Sequence, residues 1–157
     1  MFCKFLGGIN SCREEEEMKK IILLVEDLPE ELEKVKAVIS GAGFKAAVAS
    51  NLSDALRLWK TLGEKISGVI TDLHFPERSD AAFVEKTAKN PNGLVIITEA
   101  LVKNVPASVC SDVDHHFAAY LKHVVGNLEK ITGRKIPFTM DRKNWQLALN
   151  ELTKIMP

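Results

Sequence analysis

From Lys19 onward, short aliphatic or β-branched runs alternate with stretches whose apolar residues recur every three or four positions, the pattern of parallel strands joined by crossover helices. Ile21-Ile22-Leu23-Leu24-Val25 is a continuous apolar run of strand length, as expected for a strand buried on both faces, and it ends abruptly in Glu26-Asp27. Pro29 suits a first helical turn, and Leu32, Val35, Val38 and Ile39 form a buried stripe before Gly41 and Gly43 stop the helix. Phe44 to Ala49 reads as a second strand. Leu52, Ala55, Leu56, Trp59 and Leu62 follow at helical spacing, with Gly63 placed as a C-terminal cap. Ile66 to Thr71 is the third strand and ends at Asp72.

Beyond Asp72 two registers compete. One makes Gly93 to Thr98 a fourth strand by its β-branched content. The other starts a helix near Pro91 with Asn90 as its cap, carries it through Leu94, Ile97 and Leu101 to about Asn104, and makes Pro106 to Asp112 the fourth strand. Phe117, Tyr120, Leu121, Val124, Val125, Leu128 and Ile131 form one unbroken helical stripe ending at Gly133, which the first register would cut in half, so the helix-first register is adopted. It leaves Ser79 to Lys89 as an inserted or extended helix, and places Thr98 and Lys122 in helices, with Lys122 facing solvent. Lys135 to Met140 is then a fifth strand, at a sheet edge because Pro137 lacks a ladder donor. Trp145, Ala148, Leu149, Leu152, Ile155 and Met156 mark a terminal helix. The predicted class is α/β, a doubly wound five-stranded parallel sheet.

Composition narrows the function classes. At 157 residues, 46% hydrophobic and 27% charged, the chain has the makings of one ordinary globular domain. Its 21 basic and 21 acidic residues balance, giving no footprint for nucleic acid or a membrane surface. Residues 1–17, MFCKFLGGINSCREEEE, lack the charge order of a secretory signal and are expected to be a disordered leader, with residues 18–157 one domain and Met18 an alternative start. Cys3, Cys12 and Cys110 are odd in number and form no zinc pattern, so reduced thiols and a cytoplasmic location are expected.

In an open parallel sheet, sites form at the carboxyl ends of the strands beside the topological switch point. Here those ends carry Glu26-Asp27, Asp72, Ser111-Asp112 and Lys143. Converging carboxylates repel one another, and a hard divalent cation removes that cost; Mg²⁺ is the natural candidate. With the metal present, Asp72 can attack a phosphoryl group while cation and ammonium neutralise the transferring oxygens. These stretches resemble the receiver domains of two-component response regulators, of the chemotaxis-regulator type. Lys20-Ile-Ile-Leu-Leu-Val-Glu26-Asp27-Leu-Pro29 is similar to the family's first strand and acidic pair, and Gly68-Val-Ile-Thr-Asp72-Leu-His-Phe-Pro76 to its phosphoacceptor strand and the D-x-x-x-P turn after it. The resemblance implies a flavodoxin-like sheet in the order 2-1-3-4-5, and Mg²⁺ held by Glu26, Asp27, Asp72 and the backbone carbonyl of His74. It further implies phosphorylation at Asp72, Ser111 as the strand-four hydroxyl, Lys143 as the lysine after strand five, and a protein partner, either a histidine kinase or a downstream target.

The chain departs from that pattern. Lys143 is not followed by the family's usual proline, Ala81 stands where a glycine usually follows the phosphoacceptor turn, and the interval from Asp72 to Ser111 is long. An acidic pair can also simply favour a helix start, Ser111 can be an ordinary strand-end residue, and Lys143 a solvated charge. Asp112, Asp114, His115 and His116 form a second polar cluster whose adjacent imidazoles diverge, so a loop cluster is expected in preference to a transition-metal site. Trp59 and Trp145 fall on apolar stripes and read as core. Three functions stay open: a stand-alone Mg²⁺-dependent phosphoacceptor that is at most self-dephosphorylating, a phosphorylation-independent pseudo-receiver, and a phosphohydrolase. The last ordinarily needs a second acid where this chain has His74. Oligomeric state is not fixed by the sequence.

Overall fold

A computed structural model describes residues 19–88, 90–112, 118–140 and 142–157. The elements run β1 (Ile21–Val25), α1 (Pro29–Gly41), β2 (Lys45–Ala49), α2 (Leu52–Leu62), β3 (Ile66–Thr71), α3 (Ala81–Thr87), α4 (Gly93–Val102), β4 (Ala107–Cys110), α5 (Ala118–Thr132), β5 (Phe138–Thr139) and α6 (Trp145–Ile155). The five strands form one sheet in the order β2-β1-β3-β4-β5, every pair parallel, which is the flavodoxin-like order. The helix-first register is the observed one, with Thr98 inside α4 and Lys122 exposed on α5.

The apolar run of β1 is buried on both faces because successive side chains point to opposite layers. Leu23 and Val25 pack with Trp59, Val69, Phe75 and Ile96 under α2 and α4. Ile22 and Leu24 pack with Val35, Ile39, Ile70, Trp145, Leu149 and Leu152 under α1 and α6. A third cluster joins Leu73, Ile97 and Val109 to Leu121 and Val125 of α5. Trp59 and Trp145 are both core residues. β5 is shorter than the predicted Lys135–Met140, and it is an edge strand; Pro137 lies just before it, its carbonyl accepting from the N–H of Val109.

The predicted insertion is α3. The chain reaches it from a turn in which the carbonyls of Pro76 and Glu77 accept the first N–H groups of α2, those of Leu52 and Ser53, each at 3.0 Å. The Glu77 N–H donates to Thr87 Oγ1, which ties the turn before α3 to the last residue of that helix. The helix that crosses back to β4 begins at Gly93 rather than Pro91, and Asn92 does not cap it through its side chain. The Asn92 amide donates instead to the carbonyl of Phe75 at 2.7 Å, so that the start of α4 is spent on holding the loop after Asp72. Among the described residues no helix is long and apolar enough to cross a membrane.

Candidate functional site

The chain runs from β1 out to β2 at one side of the sheet and then returns to β3 on the other side of β1, so the switch point lies between β1 and β3. Val25 pairs with Thr71, which sets Glu26 and Asp72 side by side at the next position. The Asp72 N–H donates to the Val25 carbonyl at 2.8 Å and the Glu26 N–H to the Ala49 carbonyl at 3.1 Å, so backbone bonds of the sheet itself fix both acids. Glu26 and Asp72 are buried, and Asp27 is half-buried beside them.

Each buried carboxylate has defined partners. Glu26 Oε1 accepts the N–H of Leu28 at 2.9 Å, and Asp72 Oδ1 accepts the N–H of Leu73 at 2.6 Å. The remaining oxygens share one cation: Lys143 Nζ donates to Glu26 Oε2 at 2.8 Å and to Asp72 Oδ2 at 2.9 Å. Lys143 reaches them from the β5–α6 loop and is itself buried, although the usual proline after it is absent. Ser111 lies one residue past β4, buried, with its N–H bonded to the Thr139 carbonyl. His74 follows Asp72 in the loop held by α4. Asp114, His115 and His116 lie outside the described residues.

Electrostatics give the pocket its character. Burial, reinforced by the charge of Asp72, pushes the Glu26 carboxyl from its ordinary 4.5 up to about 7 against the pull of Lys143 and the Leu28 N–H. Burial also raises Asp27. Burial by itself would lower Lys143, but Asp72 and Glu26 outweigh it and hold the ammonium above its ordinary range. Two buried acids therefore share one cation, with a third, half-buried acid beside them. Glu26, Asp27 and Asp72 can each offer an oxygen, and these oxygens lie within 4.8 Å of one another. Hard oxygen donors in excess over the cation that pairs them fit a divalent ion such as Mg²⁺.

The raised Glu26 has a measurable consequence. Its folded pKa lies above its unfolded one, so the native state binds the extra proton between pH 4.5 and about 7. Stability of the metal-free protein is therefore expected to fall as pH rises through that window, by on the order of 1–3 kcal/mol from this group. Mg²⁺ is expected to raise the melting midpoint, and by more at pH 8 than at pH 5, because it binds the deprotonated form. Urea titrations in EDTA and melts in millimolar Mg²⁺ check both; Glu26→Gln should flatten the pH dependence.

The sequence missed the residues that hold the site from behind. A Cβ at Gly93 would lie 2.3 Å from the Asp72 carbonyl oxygen, while the Gly93 N–H donates to the Leu73 carbonyl at 2.9 Å. The close approach to the backbone after Asp72 is made by Gly93, after α3 has been passed, whereas Ala81 opens that helix. The Asn-Pro-Asn-Gly run at 90–93, a turn signal ahead of an apolar stripe, was the available clue.

No family model matches the chain, and no curated protein matches it. Solved structures do. A CheY-like response regulator receiver domain protein of Methanospirillum hungatei is 14% identical with a TM-score of 0.61, the match covering 87% of this chain and 92% of that one. A CheY-like receiver domain of Methylobacillus flagellatus is 20% identical with a TM-score of 0.57, covering 87% and 97%. A chemotaxis protein of Vibrio cholerae is 14% identical with a TM-score of 0.58, covering 88% and 99%. The chain has the CheY-like receiver fold.

Proposed function

We propose that the protein is a receiver-like signalling domain in which Asp72 is the phosphoacceptor, acting with Mg²⁺. The observation that carries this reading is the bridge of Lys143 between Glu26 and Asp72, with Asp27 beside them, at the switch point of the sheet. An acid turn at a helix start needs no lysine brought from the far end of the chain. Asp72 would act as nucleophile: a carboxylate oxygen forms a bond to phosphorus as the bond from phosphorus to the donor's leaving group breaks. Glu26, Asp27, Asp72 and the carbonyl of His74 would hold Mg²⁺, which supplies charge neutralisation for the transferred group. Lys143 would give up part of its bonding to the carboxylate pair for a phosphoryl oxygen, and because its loop already brings the ammonium to Asp72, only the side-chain end has to move. Ser111, one residue past the end of the neighbouring strand, would donate its hydroxyl hydrogen to a phosphoryl oxygen of the modified group. The partners are a phosphodonor kinase and a downstream protein, in a cytoplasmic setting.

Incubation with Mg²⁺ and acetyl phosphate, read by intact mass, is expected to add one phosphoryl group to the wild type, and Asp72→Asn should abolish it. Folded protein that binds Mg²⁺ but neither takes the label nor binds beryllofluoride would replace this reading with a phosphorylation-independent binding module. Steady phosphate release over many turnovers would replace it with a hydrolase.

A further inference from the structure

The loop that delivers Lys143 has an unusual backbone. Arg142 and Lys143 have φ of 50° and 49°, two consecutive side-chain-bearing residues in the left-handed region. There the Cβ crowds the following carbonyl oxygen, so the conformation persists only where the surroundings hold it. The restraints lie immediately downstream. Asn144 Oδ1 accepts the N–H of Leu147 at 3.0 Å and so starts α6 at a fixed point. Trp145 is buried, and its indole Nε1 donates to Glu31 Oε2 at 2.7 Å, 114 residues away on the first turn of α1. The other oxygen of Glu31 accepts from Lys34 at 2.6 Å. The Lys34 bond and then the indole bond hold the Glu31 carboxyl below its ordinary range, so the bond to Trp145 is charge-assisted. α1 itself begins two residues after the acidic pair. The indole bond thus ties the loop carrying Lys143 to the helix that follows Glu26 and Asp27.

We infer that Trp145 and Glu31 are positioning residues for Lys143, a rigid post that takes the place of the missing proline and aims the ammonium at Glu26 and Asp72. The inference rests on the phosphoacceptor reading for its consequences, and these have opposite signs. Lys143 and a divalent cation compete for the same carboxylates, so a loosened ammonium favours the cation. A bound phosphoryl analogue needs the ammonium, so the same loosening weakens it.

The test uses the full chain, with Trp145→Phe keeping an aromatic ring in the core but losing the pyrrole half of the indole with its N–H, Glu31→Ala removing the acceptor, and Glu31→Gln keeping a carbonyl oxygen to accept. Titration with Mg²⁺ alone, then with beryllofluoride at saturating Mg²⁺, should show Mg²⁺ binding about twofold or more tighter and beryllofluoride about three- to tenfold weaker in Trp145→Phe and Glu31→Ala, a part of the roughly tenfold or more that a hydrogen bond to a charged group contributes, since the lost bond acts on the ligands only through Lys143. Glu31→Gln should restore both. A merely structural role would weaken both ligands together, and that result, or no change in either, overturns the inference. The ammonium resonance of Lys143 in nitrogen-15 spectra needs no ligand: it should be sharp in the wild type and exchange-broadened in Trp145→Phe. If the wild type ignores beryllofluoride, the phosphoacceptor reading fails, and the Mg²⁺ titration and the ammonium signal still decide the positioning role. An unchanged ammonium signal in Trp145→Phe counts against it in every case.

Discussion

Lys143→Ala is expected to lower the stability of the metal-free protein by about 3–5 kcal/mol, the cost of leaving a buried charge without its partner, and to abolish the response to beryllofluoride. Lys143 Nζ is the only cation within ion-pair distance of Glu26 and Asp72 among the described residues, and both carboxylates are buried. Removing the ammonium leaves two desolvated acids facing each other with Asp27 beside them. Each then keeps only one of its bonds, to the N–H of Leu28 or Leu73. Mg²⁺ should rescue this variant more strongly than it stabilises the wild type, since the carboxylates no longer have to give up Lys143 to bind it. Beryllofluoride should not be rescued, because a bound phosphoryl analogue brings its own negative charge into a pocket short of one cation. Lys122→Ala is the matched control: it removes an exposed lysine from α5 and should leave stability and both ligands unchanged. Urea titrations with EDTA or Mg²⁺, followed by beryllofluoride titration, decide the matter. Equal behaviour of the two lysine variants would remove Lys143 from the site. Should Lys143→Ala not accumulate as folded protein, Lys143→Met preserves the buried stem and keeps the charge comparison.

The parts of this arrangement that the sequence disclosed are those written in local pattern. Ile21 to Val25 reads as a strand because its apolar run has strand length and is bounded by charged residues on both sides, and the acids that break the run lie at its carboxyl end. The stripe from Phe117 to Ile131 chose the register of everything after Asp72, since a helix that long cannot share residues with a strand. Contacts made across long separations were not disclosed in that way. The resemblance placed Lys143 beside Asp72, where its ammonium is found, but nothing in the local sequence announces that its backbone is left-handed or that Trp145 after it bonds Glu31 on α1. The same holds for Asn92. As a residue type it suits a helix cap, yet its amide serves the carbonyl of Phe75, a partner that only the folded loop supplies. The glycine was sought at a fixed interval from Asp72, whereas a glycine of this kind is required by proximity. An inserted helix changes the interval and leaves the proximity intact.

Gly93→Ala should therefore be among the most damaging single-methyl changes in the chain. The added Cβ would sit 2.3 Å from the Asp72 carbonyl oxygen and 2.9 Å from Leu73 Cα, both backbone atoms that cannot rotate away. Relief requires moving α4 off the sheet or displacing the Asp72–Leu73 backbone. The first course strips packing from Ile96 and Ile97, which are buried against β1 and β3 on one side and α5 on the other. The second course breaks the bond from the Gly93 N–H to Leu73 and shifts the carboxylate that Lys143 holds. Overpacking of this kind costs about 1–3 kcal/mol where side chains can yield, and with backbone on both sides the upper end of that range is expected. Under the proposed function Mg²⁺ affinity should fall with it, since Asp72 is one of the three acids whose oxygens could hold the ion. Ala81→Gly should cost less than about 1 kcal/mol, the ordinary penalty of glycine in a helix, and leave Mg²⁺ binding unchanged, because α3 lies outside this contact. Denaturation and Mg²⁺ titration of the two variants side by side check the assignment. A Gly93→Ala protein as stable as wild type, or an Ala81→Gly protein with altered metal affinity, would show that the loop after Asp72 is held from somewhere other than the start of α4.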